Sequence, residues 1–201
     1  MKVKQIDYKD VKPYVMNIHY AHRMPNVMYS FGLFDGDKLM GVVTYGMPPS
    51  PSLCRGIAGD EYKSKVIELN RLVIHPECKD RNSASMLVGK SLRLLPKGLI
   101  VVSYADYGGQ GHVGYVYQAT NWKYTGMTKR RTDVYSETGH SRHHCGDLKQ
   151  RQIRTEKHRY VTVTGNKKLL EKIRYKFFPY PKGDSQKYFI DESQKLLTLT
   201  E

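Results

Sequence analysis

The sequence predicts a mixed α/β (α+β) fold, a central sheet flanked by helices, and three features carry that prediction. Strand-type and helix-type apolar patterns alternate along the chain instead of being segregated. Residues 99–104 are almost continuously apolar, as in a strand covered on both faces. Asp35-Gly36-Asp37 separates two β-rich runs, a strong hairpin signal.

The elements follow in order. Val11, Tyr14, Val15 and Ile18 have helical spacing, and Pro25 stops any helix before it. Residues 30–46 form the hairpin. Residues 47–52, with Pro48, Pro49 and Pro51, are expected to be loop. Residues 65–75 read as a strand closed by Pro76. A polar turn (77–82) leads into a helix over 83–95, with Asn82 or Ser83 as N-cap and Pro96 and Gly98 as its stop. After the strand at 99–104, residues 108–111 are expected to be a flexible loop and 112–121 a helix. Strands are expected at 122–124 and 159–164, a short basic helix at 166–175, and an extended segment at 177–181. The expected organisation is one domain over residues 1–182, with residues 183–201 as a peripheral tail.

Composition narrows the function. The chain has 201 residues and a formal net charge of +14. Between Lys129 and Lys182 there are 15 Lys/Arg against 5 Asp/Glu, so the C-terminal half is strongly basic. That balance, with 16 tyrosines, points to DNA or another polyanion as partner, because each neutralised phosphate releases counterions. Arg151, Arg154, Lys157, Arg159, Lys167, Lys168, Lys172, Arg174 and Lys176 are the DNA-backbone candidates. No apolar run approaches the roughly 20 residues of a membrane span, and the first residues have no apolar signal region. Cys54, Cys78 and Cys145 are odd in number and widely spaced, which suggests a reducing compartment. The expectation is a cytoplasmic protein.

The order of elements resembles the GNAT superfamily of acyl-CoA-dependent N-acyltransferases over roughly residues 2–135. In that superfamily a turn of pattern Arg/Gln-x-x-Gly-x-Gly/Ala binds the CoA pyrophosphate at a helix N-terminus. The corresponding turn here is Arg81-Asn82-Ser83-Ala84-Ser85-Met86, with Ala84 and Met86 departing from the pattern. The resemblance implies Arg81, Asn82, Ser83, Ala84 and Ser85 as cofactor-binding residues for an acyl-CoA-type donor. It also implies that Tyr117, in Tyr117-Gln118-Ala119-Thr120-Asn121-Trp122, protonates a leaving group. A phenol can serve in that step.

Longer strings are more specific. Residues 104–106 and 111–126 look like the Mom family of phage DNA-modification proteins. So do Phe31-Gly32-Leu33-Phe34-Asp35-Gly36, Glu68-Leu69-Asn70-Arg71-Leu72 and Lys157-His158-Arg159-Tyr160-Val161. This resemblance implies an enzyme that places a carbamoylmethyl (acetamido) group on the N6 amine of adenine in DNA and so protects it from restriction. It implies Arg71, Asp106 and Tyr117 as catalytic residues, with DNA and a small-molecule group donor as partners. Chemistry on a base amine requires access outside the stack. Tyr104, Tyr107, Tyr115, Trp122 and Tyr124 offer stacking faces. Two other functions are compatible with the residues: an acetyl-CoA-dependent N-acetyltransferase acting on a modified base or another amine, and a non-catalytic basic DNA-binding protein. A metal such as iron or zinc has two candidate places, His140/His143/His144/Cys145 and His19/His22.

Overall fold

A computed structural model describes residues 1–134 and 151–183. Its framework is a seven-stranded sheet in the order β1-β2-β3-β4-β5-β9-β6. The strands are β1 (Lys2–Gln5), β2 (Tyr29–Asp35), β3 (Lys38–Gly46), β4 (Val66–Ile74), β5 (Ile100–Asp106), β6 (Lys123–Met127) and β9 (Lys157–Val163). The hairpin forms as expected: Asp35 pairs with Lys38, and Gly36 takes the positive φ that starts the two-residue turn. All pairs are antiparallel except β4–β5. Strands β7 (Arg131–Val134) and β8 (Arg151–Arg154) form a separate two-stranded ribbon.

Helices cover both faces. On one, α3 (Ser83–Leu94) and α5 (Tyr115–Ala119) enclose a core with Ile67, Leu69, Val101, Leu87, Tyr117 and Trp122. On the other, α1 (Tyr8–Pro13) packs near Val42 and Val73, and α2 (Pro51–Tyr62) packs near Val66, Ile100 and Val102.

Several local expectations are corrected. The proline-rich loop ends sooner than expected, because Pro51 is the first residue of α2. Proline is tolerated there, where its missing N–H has no helical partner, and Ser50 Oγ accepts the Leu53 amide at 3.3 Å. The first helix is interrupted after Pro13, which cannot donate to the preceding turn, and continues as a π turn over Tyr14–Ile18. Residues 107–110 are a helical turn, α4 (Tyr107–Gln110), rather than an open loop. It lies so close to Thr155 that a Cβ at Gly108 would come within 2.6 Å of that side chain. The helix expected over 112–121 shrinks to α5, since Gly114 adopts a left-handed φ of 83°. The basic helix at 166–175 is a 3-10 segment, Lys167–Lys172. The segment at 177–181 is extended as expected, and Phe178 N–H donates to the Tyr124 carbonyl at 2.9 Å.

Candidate active site

Strands β4 and β5 are hydrogen-bonded in register only at Val66/Ile100, Ile67/Val101 and Glu68/Val102. Beyond these pairs they separate, and a cleft of about 2040 Å³ opens between their C-terminal halves. The Leu69 carbonyl stands where the backbone ladder stops, and Ser103 Oγ donates to it at 2.9 Å. This side-chain bond satisfies a buried acceptor that a neighbouring strand would otherwise serve.

A bulge decides which side chains share the acceptor face of this cleft. Thr44 pairs with Arg71 and Tyr45 with Leu69, so Asn70 is an extra residue in β4. Without it, Arg71 would alternate onto the face of Leu69 and α3. With it, Arg71 joins Glu68 on the α1–α2 face. Asn70 is held in place by Thr44, which donates to Asn70 Oδ1 at 2.5 Å, and by its own Nδ2, which donates to the Asn26 carbonyl at 2.8 Å.

The expected trio is therefore divided between two sides of the gap. Arg71 lies in the C-terminal half of β4 and Asp106 ends the adjacent β5, and both line the cleft. Arg71 uses its fork on backbone: Nε and Nη2 donate to the Arg23 carbonyl at 3.3 and 3.1 Å, and Nη1 to the Asn70 carbonyl at 2.7 Å. Asp106 is ion-paired with Lys157 Nζ at 2.6 Å and accepts from Thr155 Oγ1 at 3.1 Å. Tyr117 lies on the α3 side, buried in the core, with its oxygen 2.8 Å from Ser103 Oγ. Ser103 has one hydrogen, and the Leu69 carbonyl can only accept it. Tyr117 therefore donates to Ser103. Burial holds the Tyr117 phenol up at about 12, with the Ser103 bond opposing.

Three further residues share the acceptor face: Glu68 and Tyr20, which were not singled out from the sequence, and His19, which was considered only as a metal ligand with His22. Glu68 lines the cleft and has no hydrogen-bond or ion-pair partner among the described residues. Burial raises its carboxyl to about 7, against the pull of Arg71 and Lys157. A lone acidic residue within an apolar strand was the available signal, since a carboxylate is rarely withdrawn from water without purpose. His19 and Tyr20 reach the same cleft from the segment after the π turn, their rings stacked at 4.3 Å. Burial, then the nearby Arg71 and His22, lower His19 to about 4, so it is neutral at pH 7. Tyr20 is exposed at the cleft; partial desolvation and then the Asp106 carboxylate raise its phenol, with Arg71 opposing.

Other expectations fare unevenly. His19 and His22 do not share a helical turn: His19 caps the π turn and His22 takes a φ of 41°, donating through Nδ1 to the Met16 carbonyl at 2.8 Å. No group of three or more potential metal ligands occurs among the described residues. His140, His143, His144 and Cys145 lie outside those residues. Trp122 and Tyr124 are core side chains and offer no free face for stacking: Trp122 packs on Tyr117, and Tyr124 on His158, Tyr160 and Phe178. Tyr107 and Tyr115 are exposed and line the cleft, and the half-buried Tyr104 also lines it.

At the start of α3, only Ala84 of residues 81–85 lines the cleft. Asp80 already occupies the first amides: its Oδ1 accepts from Asn82 N–H at 2.9 Å and its carbonyl from Ser83 N–H at 3.2 Å. Ser85 Oγ donates to the Asn82 carbonyl at 3.0 Å. A carboxylate on one amide and a carbonyl on the next, where a pyrophosphate would bind, with Met86 further along the turn, fit that group poorly.

The cleft is lined by eight Lys/Arg and by two carboxylates, Glu68 and Asp106, among the described residues. Of the expected DNA-backbone residues, Arg154, Lys157 and Arg159 line it. Lys167, Lys168, Lys172, Arg174 and Lys176 are exposed but lie outside it, and Arg151 contributes backbone to β8. No helix among the described residues is long and apolar enough to cross a membrane.

Comparisons with known proteins agree with this architecture. The crystal structure of Arabidopsis thaliana NAA60 in complex with acetyl-CoA superposes with a TM-score of 0.50 at 12% identity, covering 82% of this chain and 99% of that one. An acetyltransferase of the GNAT family from Bacillus cereus gives a TM-score of 0.47 at 11% identity, over 82% of this chain and 98% of that one. The first likeness establishes the N-acetyltransferase fold. The methylcarbamoylase Mom of Escherichia phage Mu is 30% identical over 131 residues, 63% of this chain and 54% of that protein. The aligned region thus spans about half the length of that curated relative. The Mom protein family itself matches residues 1–175, which include both sides of the cleft and every strand of the central sheet, and the chain belongs to that family.

Proposed function

We propose that this chain is a DNA-modifying transferase that adds a carbamoylmethyl group to the N6 amine of adenine, a modification that shields DNA from restriction. The observation that carries the reading is Glu68. Its carboxyl is half-buried, has no hydrogen-bond or ion-pair partner among the described residues, and is raised to about 7 beside the gap between β4 and β5. Such a group is matched to accept a proton near neutral pH. The Mom relative, named a methylcarbamoylase, supports the class of group transferred.

The adenine amine is barely basic, because its lone pair is delocalised into the ring. In this mechanism the N6–carbon bond forms as the donor carbon parts from its leaving group, and Glu68 takes the proton that N6 loses. Asp106, fixed by Lys157 and Thr155, orients the amine. Arg71 keeps the His19–Tyr20 segment over the acceptor face. On the α3 side, Tyr117 gives its proton to the leaving group by exchanging its bond to Ser103. The poor fit of the α3 turn for a pyrophosphate favours a donor other than a conventional acyl-CoA. The surplus of cations along the cleft suits a DNA strand.

The test is nucleoside mass spectrometry of DNA from cells expressing the chain, beside Glu68→Gln and Asp106→Ala variants. The expected result is a gain of about 57 Da on deoxyadenosine, the carbamoylmethyl increment, abolished in both variants; here nucleophilic transfer depends on the placed base. Unmodified deoxyadenosine, or modification that survives Glu68→Gln, would overturn the reading. A gain of about 42 Da would instead identify acetyl transfer.

A further inference from the structure

Besides the buried Tyr117, the cleft is lined by Tyr20, Tyr104, Tyr107, Tyr115 and Tyr175. Their rings are not equally available. Tyr175 carries the Arg159 guanidinium over its ring at 3.5 Å. Tyr104 is half-buried within β5. Tyr115 donates its hydroxyl to the Gly183 carbonyl at 3.3 Å. Tyr20 stacks on His19, its neighbour in the same surface segment. Tyr107 differs from all of these. It is 45% exposed, its hydroxyl makes no hydrogen bond among the described residues, and its ring is braced from the core.

The brace is His158 on β9, itself buried. The two rings meet edge to face, with centroids 5.1 Å apart and planes at 69°, an arrangement that aromatic pairs favour. His158 is fixed in turn, because its Nδ1 is hydrogen-bonded to the Tyr124 hydroxyl at 2.8 Å and Tyr124 packs on Tyr160. The backbone under Tyr107 is held as well. Gly108 N–H donates to the Glu156 carbonyl at 3.3 Å, and Gly111 N–H to the Tyr107 carbonyl at 2.8 Å. A side chain at Gly108 would strike Thr155, so α4 is seated against the connection between β8 and β9. Tyr107 directly follows Asp106 in the chain. The ring is thus one peptide away from the residue that orients the amine in the mechanism above.

We propose that Tyr107, backed by His158, is the platform on which the adenine withdrawn from the helix stacks. This rests on the DNA-modifying reading and adds the surface that receives the base. A base taken out of the duplex loses its stacking neighbours. A fixed aromatic face at the cleft replaces one of them. The ring has already given up its freedom on folding, so a base that lands on it meets a preorganised surface. Stacking uses the π face alone, and the hydroxyl is dispensable.

The test is binding, so that it stands apart from catalysis. Fluorescence anisotropy would measure the full chain on two duplexes that differ at one position, an unpaired bulged adenine or an abasic site. Wild type is expected to bind the adenine duplex about 10-fold more tightly than the abasic one. Tyr107→Ala should bring the two within about 2-fold, by weakening binding to the adenine duplex alone. Its affinity for the abasic duplex and its salt slope should stay at wild-type values, because the phosphate contacts are untouched. Tyr107→Phe should keep the full preference. Tyr107→Leu retains an apolar side chain against His158 and serves if the Ala variant does not fold; it too should lose most of the preference.

The platform is overturned if the Ala and Leu variants keep the preference for adenine, or if Tyr107→Phe loses it. It is also overturned if Tyr20→Ala or Tyr115→Ala removes the preference while Tyr107→Ala does not, which would place the base on another ring. A wild type that modifies deoxyadenosine yet binds both duplexes equally would overturn it too. A failed DNA-modifying reading shows separately, as wild-type cells whose deoxyadenosine gains no mass.

Discussion

Arg71 and Arg23 are joined by a two-donor hold: Nε and Nη2 of Arg71 reach the Arg23 carbonyl at 3.3 and 3.1 Å. A bulged strand thereby fixes the segment that carries His19 and Tyr20. The arginine that sequence resemblance marks as catalytic thus positions other residues, and its charge faces the cleft while its hydrogens are used on backbone.

The first prediction follows from that hold. Arg71→Lys keeps the charge but cannot reproduce the fork, and it should cost about 2 kcal/mol, the scale of hydrogen bonds made by a charged group. Amide hydrogen exchange of residues 20–26 should accelerate while that of β5 stays unchanged. Equal protection in both regions would show that the segment is held by something else.

Glu68 gives a pH-dependent prediction. Its folded pKa of about 7 is above the usual carboxylate value. Its contribution to stability is therefore fully present below the unfolded pKa and is lost as pH rises through about 7. Glu68→Gln should raise Tm at pH 8 and change it little at pH 4, with a gain on the order of 2–3 kcal/mol at the alkaline end. Transfer by the wild type should rise with pH through the same region, and Glu68→Gln should lose at least about 100-fold in rate. A variant destabilised at pH 8 would contradict the burial assigned to this carboxyl.

Ser103 and Tyr117 should respond asymmetrically. Tyr117→Phe removes one donor and leaves Ser103 bonded to Leu69, so about 1 kcal/mol is the expected loss. Ser103→Ala strands both the Leu69 carbonyl and the Tyr117 hydroxyl in the core and should cost about 2–4 kcal/mol. Urea unfolding of both single variants and of the double variant would check this. The double variant should be much less destabilised than the sum of the two losses.

The α3 turn predicts weak binding of acetyl-CoA. Asp80 holds the Asn82 and Ser83 amides and adds negative charge there. Calorimetry should find a Kd no tighter than about 1 mM for the wild type. Asp80→Ser frees an amide and should tighten binding by about 10-fold, near 1.4 kcal/mol. Micromolar binding by the wild type would show that the pyrophosphate is held elsewhere.

Much of this protein was determined by the sequence alone. The β2–β3 hairpin follows from Asp35-Gly36, where a turn needs a residue that accepts positive φ. The 3.6-residue spacing of Met86, Leu87 and Leu94 marks α3, and the unbroken apolar run marks β5. The basic C-terminal half and the segments holding Arg71, Asp106 and Tyr117 were legible too. Each rests on local patterns, which the chain carries within a few residues.

Tertiary structure decided what local patterns do not encode. Strand periodicity could not show that Asn70 is bulged, because a bulge is defined by the partner strand, and so it could not put Arg71 and Glu68 on one face. It could not show that β9 lies between β5 and β6, which brings Lys157 opposite Asp106. The tyrosines looked alike in sequence, yet packing between β6, β9 and α5 buries Tyr124 while Tyr107 and Tyr115 remain at the cleft. The ionisation of Glu68 was least legible of all. It depends on the loss of water in the cleft wall and on charges supplied by Arg71 and Lys157, and only folding brings these groups together.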